Sequence, residues 1–366
     1  MDTPVVITGL GAVTGLGRSV DQTFDALLAR KSACAPVTAF DAASLGCPAA
    51  ARLQPFAPED LGLAPRDARV MSLYSFALLA ASRAAFAQAA LPGPLDRARI
   101  GFFAGVGTVD CKPADLAPAI AQCRAPGGAV DWDRFFSTAY HAIHPLWPLG
   151  MLNNIGHSVV AIDLDVRGDN ATYTPHAEAG AQALDDARRS IASAAADAVL
   201  AGGASEEVSP FSLARHSRLG WLSPTGAPRP FDPASDGAVL GEAAACLVLE
   251  SSASARQRGC PALAQLAGCA ARTAPVGRPS ASAIADAITG ALQDARCRPA
   301  DIGIVFANAC GVPAQDAAEA QAIAAVLPHR PLVTTTRPAL GSPLAAAMLL
   351  DAALAVCALT RRTAPP

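Results

Sequence analysis

The stretch ADAVLAGGASEEVSPFSLARHSRLGWLSP, residues 196–224, decides how the chain is read. Its first ten residues form a short apolar run that ends in a glycine turn, the pattern of a buried strand. ARIGFFAGVG (98–107) repeats that pattern, and PVVITGLGAV (4–13) is a third buried strand. GAVLGEAAACLVLESSASARQRG (237–259) reads as a strand followed by a helical turn. Between these runs lie Ala-rich helical segments. RSVDQTFDALLARK (18–31) places Phe24, Leu27 and Leu28 on one face, while VMSLYSFALLAASRAAFAQAAL (70–91) is too apolar for a surface helix. Strands alternating with helices predict an α/β fold.

Working outward, a second series follows Gly259. PALAQLAGCAAR reads as strand, ASAIADAITGALQDA as helix, DIGIVFANACG as strand and AAEAQAIAAVL as helix. PLVTTTRPALG then reads as strand and loop, and PLAAAMLLDAALAVCAL as helix. The echo suggests duplication, with an N-terminal half over 1–250 and a C-terminal half over 259–366. CRAPGGAVDWDRFFSTAYHAIHPLWPLG breaks the rhythm. It is aromatic and Pro-containing, and predicts an inserted loop region at about 110–150.

With 366 residues, 52% of them hydrophobic, the chain can bury a large core. Only 16% are charged and the net charge is −3, so nothing favours nucleic acid or an anionic membrane surface. The richest apolar run, LAAAMLLDAALAVCALT, is interrupted by Asp351 and is not read as a membrane span. The N-terminus passes straight into a strand without a basic leader. Ten scattered cysteines without a CxxC pair predict a reduced, cytoplasmic setting. Lys31 and Lys112 are the only lysines, which leaves little for lysine chemistry.

Several motifs fall short of the sites they suggest. Gly9, Gly11 and Gly15 have GxGxxxG spacing, yet no acidic residue closes a second strand as a dinucleotide site requires, so no cofactor is expected. His141 and His144, with His157 further on, lack the third and fourth ligands of a zinc site, and no metal is expected. Asp163/Asp165 and Glu206/Glu207 are paired carboxylates, the first pair beside a turn. No GxSxG elbow is present for a serine hydrolase.

Together, these segments resemble the beta-ketoacyl synthase family, the condensing enzymes of fatty-acid and polyketide synthesis. VVITGLGAVTGLGRSVDQTFDALLARKSACAPVTAFD resembles the family's opening, and NNIGHSVVAIDLDVRGDNAT, with NNIGH taken as strand, the approach to its nucleophile. The opening quotation followed by RPFDPASDGAVLGEAAACLVLE resembles its central signature, with Arg229, Asp232, Gly237, Gly241 and Glu242 as landmarks. DIGIVFANACGVPAQDAAEAQAI and TTTRPALGSPLAAAM fall where its two C-terminal signatures belong. The resemblance implies a thiolase-like fold, two similar α/β halves in a five-layer αβαβα sandwich, paired through their central sheets. The family continues beyond TRRTAPP with two strands and a loop beside the nucleophile, so the C-terminal strands are expected to be shortened or missing.

The family's chemistry uses a cysteine at a helix N-terminus and two histidines. Carried over, the cysteine falls on Ala177 in NATYTPHAEAGAQALDDARRS, or on His176 with a one-residue shift. The histidines fall on Cys310 of NACG and on Ser342, and a lysine falls on Arg337. Pro175 and Glu178 both suit a helix start. The expectation is a chain-length-factor-type subunit without catalytic residues. It would pair as a heterodimer with an active ketosynthase and meet acyl carrier protein through the complex. Phe135, Phe136, Tyr140, Leu146 and Trp147 are its candidate tunnel and interface residues, with Leu146 and Trp147 setting chain length or else filling the chain's own core. A residual acyltransferase or malonyl decarboxylase, with His176 and Cys310 as a new pair, stays open, as does a scaffold protein.

Overall fold

The computed structural model describes residues 4–366 apart from 126, 175 and 276–278. The elements that position the site begin with β1 (Val5–Thr14), α1 (Val20–Leu28) and α2 (Leu73–Gln88). They continue through β2 (Ile100–Val106), α3 (Pro113–Gln122), α4 (Asn154–Leu164), β3 (Asn170–Tyr173), α5 (Ala179–Ala192) and β4 (Ala198–Ser205). Then come α6 (Pro210–Arg218), β5 (Ala243–Ser251), β6 (Ala264–Gln265) and α7 (Ala281–Ala295). Last are β7 (Ile304–Phe306), α8 (Pro313–Val326), β8 (Leu332–Thr334) and α9 (Ala347–Arg361).

Six strands form one mixed sheet in the order β3-β2-β4-β5-β1-β6. β2 pairs in parallel with both β3 and β4, and β5 runs antiparallel between β4 and β1. β7 and β8 make a separate two-stranded parallel sheet. Leu78, Tyr74 and Val160 of α2 and α4 pack on one face of the large sheet with Phe102 and Leu200. On the other face Phe24, Leu184, Leu350 and Leu354 of α1, α5 and α9 pack with Val199 and Leu249. Phe306 of β7 borders that second cluster, and Leu292 and Ile323 of α7 and α8 cover the far side of the small sheet. The layers are therefore helix, sheet, helix, sheet, helix, which is the thiolase-like arrangement. The strands are continuously apolar because both faces of the large sheet are covered.

The glycine motif serves packing. A Cβ on Gly9 or Gly11 would lie 2.1 Å from the Ala85 carbonyl oxygen or 1.9 Å from that of Ala81. Both glycines sit inside β1, where they let α2 approach the sheet closely.

Three expectations are corrected. NNIGH is helical, not strand: His157, Val160 and Leu164 fall on one buried face of α4 at i, i+3 and i+7, a helical period. PALAQLAGCAAR yields only the two residues of β6, which join the large sheet beside β1 at Val6 and Ile7. Lacking β-branched residues, that segment has little strand preference. Region 110–150 holds α3 and a short helix over Trp132–Ser137, gathered around Ala119, Cys123 and Ala139. It is a small helical excursion rather than a loop.

Residues Leu344–Arg361 are long and apolar enough to cross a membrane by length and composition, but 56% of that stretch is buried inside the fold. Asp351, which breaks the run, pairs with the buried Arg337 at 2.7 Å.

Candidate functional site

The entrance of α5 is clamped by close approaches. A Cβ on Gly105 of β2 would lie 2.3 Å from the Gly180 nitrogen, and one on Gly180 would lie 2.2 Å from the Ala345 carbonyl oxygen. Only residues without a side chain let β2, α5 and the turn before α9 meet here. His176, Ala177 and Glu178 stand at this entrance in the wall of a cavity of about 920 Å³. Thr108, Glu207 and Asn308 are also in the wall. Glu178 is the N-cap residue, though its side chain makes no capping hydrogen bond. Pro175 lies outside the described residues.

Ala177 is exposed and offers a methyl group to the cavity. Cys310 is 3% exposed. Burial pushes its thiol up to about 12, so it carries its proton at neutral pH. Its Sγ lies 3.9 Å from Gln315 Oε1, and it makes no hydrogen bond with the exposed His176. Ser342 is 4% exposed and held by its backbone: its N–H donates to the Val239 carbonyl at 2.7 Å, and its carbonyl accepts from Gly241 N–H at 3.0 Å. Arg337 donates to Asp351 at 2.7 Å, to Thr336 Oγ1 at 2.6 Å and to Asn308 Oδ1 at 3.0 Å.

The sequence reading missed two carboxylates on α8 that shape this site. Asp316 is 3% exposed and accepts three backbone N–H groups, those of Cys310, Gly311 and Phe231, each at 3.0 Å. Glu319 accepts the N–H of Asn308 at 2.8 Å. Their i, i+3 spacing at the start of a helix was the available signal, but nothing in the sequence names the loop they hold.

Glu206 and Glu207 diverge from the end of β4. Glu206 accepts Tyr74 N–H at 3.0 Å and so caps α2, and burial raises its carboxyl above the usual range. Glu207 accepts from Thr108 N–H at 2.9 Å and Ser212 Oγ at 2.7 Å, which ties β2 to α6. Asp163 pairs with Arg83, and Asp165 ends α4 in a left-handed conformation beside Arg167. Each of these four carboxylates has a structural partner.

His157 is buried with Nε2 3.1 Å from the Phe102 carbonyl oxygen, and its pKa is lowered by burial. His141 packs at a tilt against Tyr140 with ring centroids 4.0 Å apart, and His144 Nδ1 accepts from Leu146 N–H at 3.2 Å. Among the described residues no cluster of His, Cys, Asp and Glu could hold a metal ion.

Phe135, Phe136, Tyr140 and Trp147 line a second cavity of about 680 Å³. Phe136 is 71% exposed, Leu146 51% and Tyr140 45%, while Phe135 and Trp147 are half-buried. This aromatic group is brought together at the surface and lies outside the two large core clusters.

Glu242, 2% exposed, accepts Leu53 N–H at 2.9 Å. Burial pushes its carboxyl up to about 7 from an ordinary value of 4.5. The folded chain therefore holds a proton there that the unfolded chain has released. That contribution is complete below about pH 4.5 and is lost as pH rises through about 7. Glu242→Gln is expected to raise stability by about 2–3 kcal/mol at about pH 8 and to change little near pH 4.5. Urea unfolding at the two pH values checks this, and an equal effect at both would contradict it.

Comparison with known proteins adds family. A family model described as beta-ketoacyl synthase, N-terminal domain, matches residues 2–255, and one described as the C-terminal domain matches residues 263–366. The chain is 29% identical over 382 residues to 3-oxoacyl-[acyl-carrier-protein] synthase 2 of Coxiella burnetii, covering 99% of this chain and 87% of that protein. Among solved structures it is similar to the ishigamide ketosynthase/chain length factor, with a TM-score of 0.85 and 29% identity over 100% of this chain and 88% of the other. A beta-ketoacyl synthase from Burkholderia phymatum STM815 also has a TM-score of 0.85 and 29% identity, over 98% and 86% of the two chains.

Proposed function

The chain belongs to the beta-ketoacyl synthase family, and from that premise we propose that it is a non-catalytic, chain-length-factor-type subunit. It pairs with an active ketosynthase in the cytoplasm and meets acyl carrier protein through that pair. The observation that carries this reading is the chemistry at the three positions taken over from the family. Ala177 offers a methyl at the helix entrance, Cys310 is a buried, protonated thiol, and Ser342 is a buried hydroxyl on a backbone held by its neighbours. None of the three supplies an accessible nucleophile or base. One similar structure is described as a ketosynthase/chain length factor, and that pairing is carried over to this chain.

The surface supports the same reading. Among the described residues β3 is an edge strand of the large sheet, and an edge strand is a template for pairing with another chain. The exposed aromatic group around Trp147 offers an apolar anchor of the kind that partner subunits bury. Trp147 also lines a third cavity of about 580 Å³, whose inner wall holds Met71, Val208 and Glu206. In the pair, Leu146 and Trp147 bound the space left for a growing chain.

Co-expression with an intact ketosynthase followed by size exclusion is expected to give one heterodimer peak. Trp147→Ala in that pair is expected to shift products to longer chains. A homodimer indifferent to the synthase would sink the pairing, and unchanged product lengths would sink the role of Trp147.

A further inference from the structure

The third cavity, of about 580 Å³, is walled wholly by residues 39–210. Its size falls in the range of small-molecule sites, about 300–1,000 Å³. Part of the wall is apolar and suits a flat ring. Phe40 and Trp147 contribute aromatic faces, and Met71 and Met151 contribute thioethers that pack well against an aromatic edge. Arg52, Arg69 and Lys112 stand around the same space, all three exposed. Among the described residues none of the three forms an ion pair. Lys112 feels Glu206, and Arg52 feels Glu242, only at longer range. The chain as a whole has a net charge of −3, so this cationic group runs against its overall sign.

The carboxylates in the wall are already engaged. Glu206 accepts Tyr74 N–H at 3.0 Å. Asp110 accepts from Ser209 Oγ and pairs with Arg215 at 3.4 Å. Asp115 lies in the first turn of α3, where the helix dipole favours its charge. The donors are not engaged. Ser72, the N-cap residue of α2, is 7% exposed, and its Oγ is buried without a hydrogen-bond partner. Glu206 lies close to it but serves Tyr74 instead. A buried hydroxyl without a partner is uncommon, and an arriving acceptor would satisfy it. His144 Nδ1 accepts from Leu146 N–H, so the neutral ring carries its hydrogen on Nε2. The cavity thus offers cations and hydrogen-bond donors, and a ligand has to bring the acceptor. A carboxylate does so with two oxygens and a single charge. A phosphate dianion fits less well, because Glu206, Asp110 and Asp115 share the wall and repel a second charge.

We propose that the third cavity is a binding site for an aromatic carboxylate. The ring lies against Trp147 and Phe40, while the carboxylate takes the charge of Arg52, Arg69 and Lys112 and a hydrogen bond from Ser72 Oγ. The site belongs to the single chain and stands whether or not that chain pairs with a synthase.

The test is titration of the isolated full-length chain with 2-naphthoate, followed by calorimetry. Saturable binding is expected, with 2-naphthalenemethanol, the same ring without the charge, at least about tenfold weaker. Arg69→Glu reverses one charge at the cavity and Val109→Trp fills its space, and each is expected to weaken 2-naphthoate at least about tenfold. Arg256→Glu, an exposed charge reversal outside the cavity, leaves the affinity unchanged. Melting curves establish that the variants fold, and the exposed Arg69 reads the site even if the tryptophan variant does not. Absence of saturable binding up to millimolar 2-naphthoate would overturn the site, as would equal affinity for the alcohol or in Arg69→Glu. An equal loss in Arg256→Glu would also overturn it, by reducing the binding to net charge. None of these failures bears on pairing with a ketosynthase, which co-elution reads separately.

Discussion

Asp351→Ala is expected to cost about 3–5 kcal/mol of folding stability, among the largest single effects in this chain. Arg337 is 1% exposed and Asp351 receives its charge through Oδ1 and Oδ2 at 3.2 and 2.7 Å. Removing the carboxylate leaves a guanidinium buried between α9 and the loop carrying Asn308, with only neutral acceptors in Thr336 and Asn308. The single loss is large because an uncompensated buried charge remains, not because the pair itself is strongly stabilising. The double variant Arg337→Met/Asp351→Leu removes both charges and should recover most of the loss. Chemical unfolding of the single and double variants measures the difference. A cost below about 1 kcal/mol for Asp351→Ala would show that water reaches the guanidinium.

Asp316→Ala is the second large effect. One carboxylate accepts three backbone N–H groups, from Cys310 and Gly311 in one loop and Phe231 in another. Each donor left unsatisfied costs about 1–3 kcal/mol, so a total of about 3–9 kcal/mol is expected. Phe231 adopts φ +60°, an uncommon conformation for a bulky residue, and the bond from its N–H to Asp316 helps to hold it. Asp316→Asn can accept at one oxygen only and should fall between the wild-type and alanine chains. If asparagine matched the wild type in urea unfolding, the three-way clamp would be refuted.

Long elements were legible in the sequence because their burial leaves a simple pattern. β1, β4 and β5 are apolar on both faces, and α2 is apolar nearly all round, so run length alone separates strand from helix. α4 was misread because NNIGH is short and its helical face is completed only by Leu164, beyond the motif. β6 was overread because an alternation of Ala and Leu resembles a strand, whereas Gly268 instead packs against the Ala291 carbonyl of α7.

The site was half legible. The entrance of α5 at Ala179, with Ala177 before it, followed from local helix signals. Asp316 and Asp351 did not, because their partners are distant in sequence or sit in another element. Asp351 in particular read as a break in an apolar run, when it is the counter-charge of Arg337. A sequence records that a polar residue interrupts a core helix; the partner that makes it tolerable is a property of the fold.

On the proposed reading, this chain takes no acyl group itself and serves a partner that does. The most direct test of that reading is intact-protein mass spectrometry of the reconstituted pair after incubation with acyl-carrier protein loaded with substrate. The expected result is an acyl mass on the ketosynthase alone, with this chain unmodified. An acyl adduct on this chain, mapped to Cys310, would contradict the account and make it an enzyme in its own right.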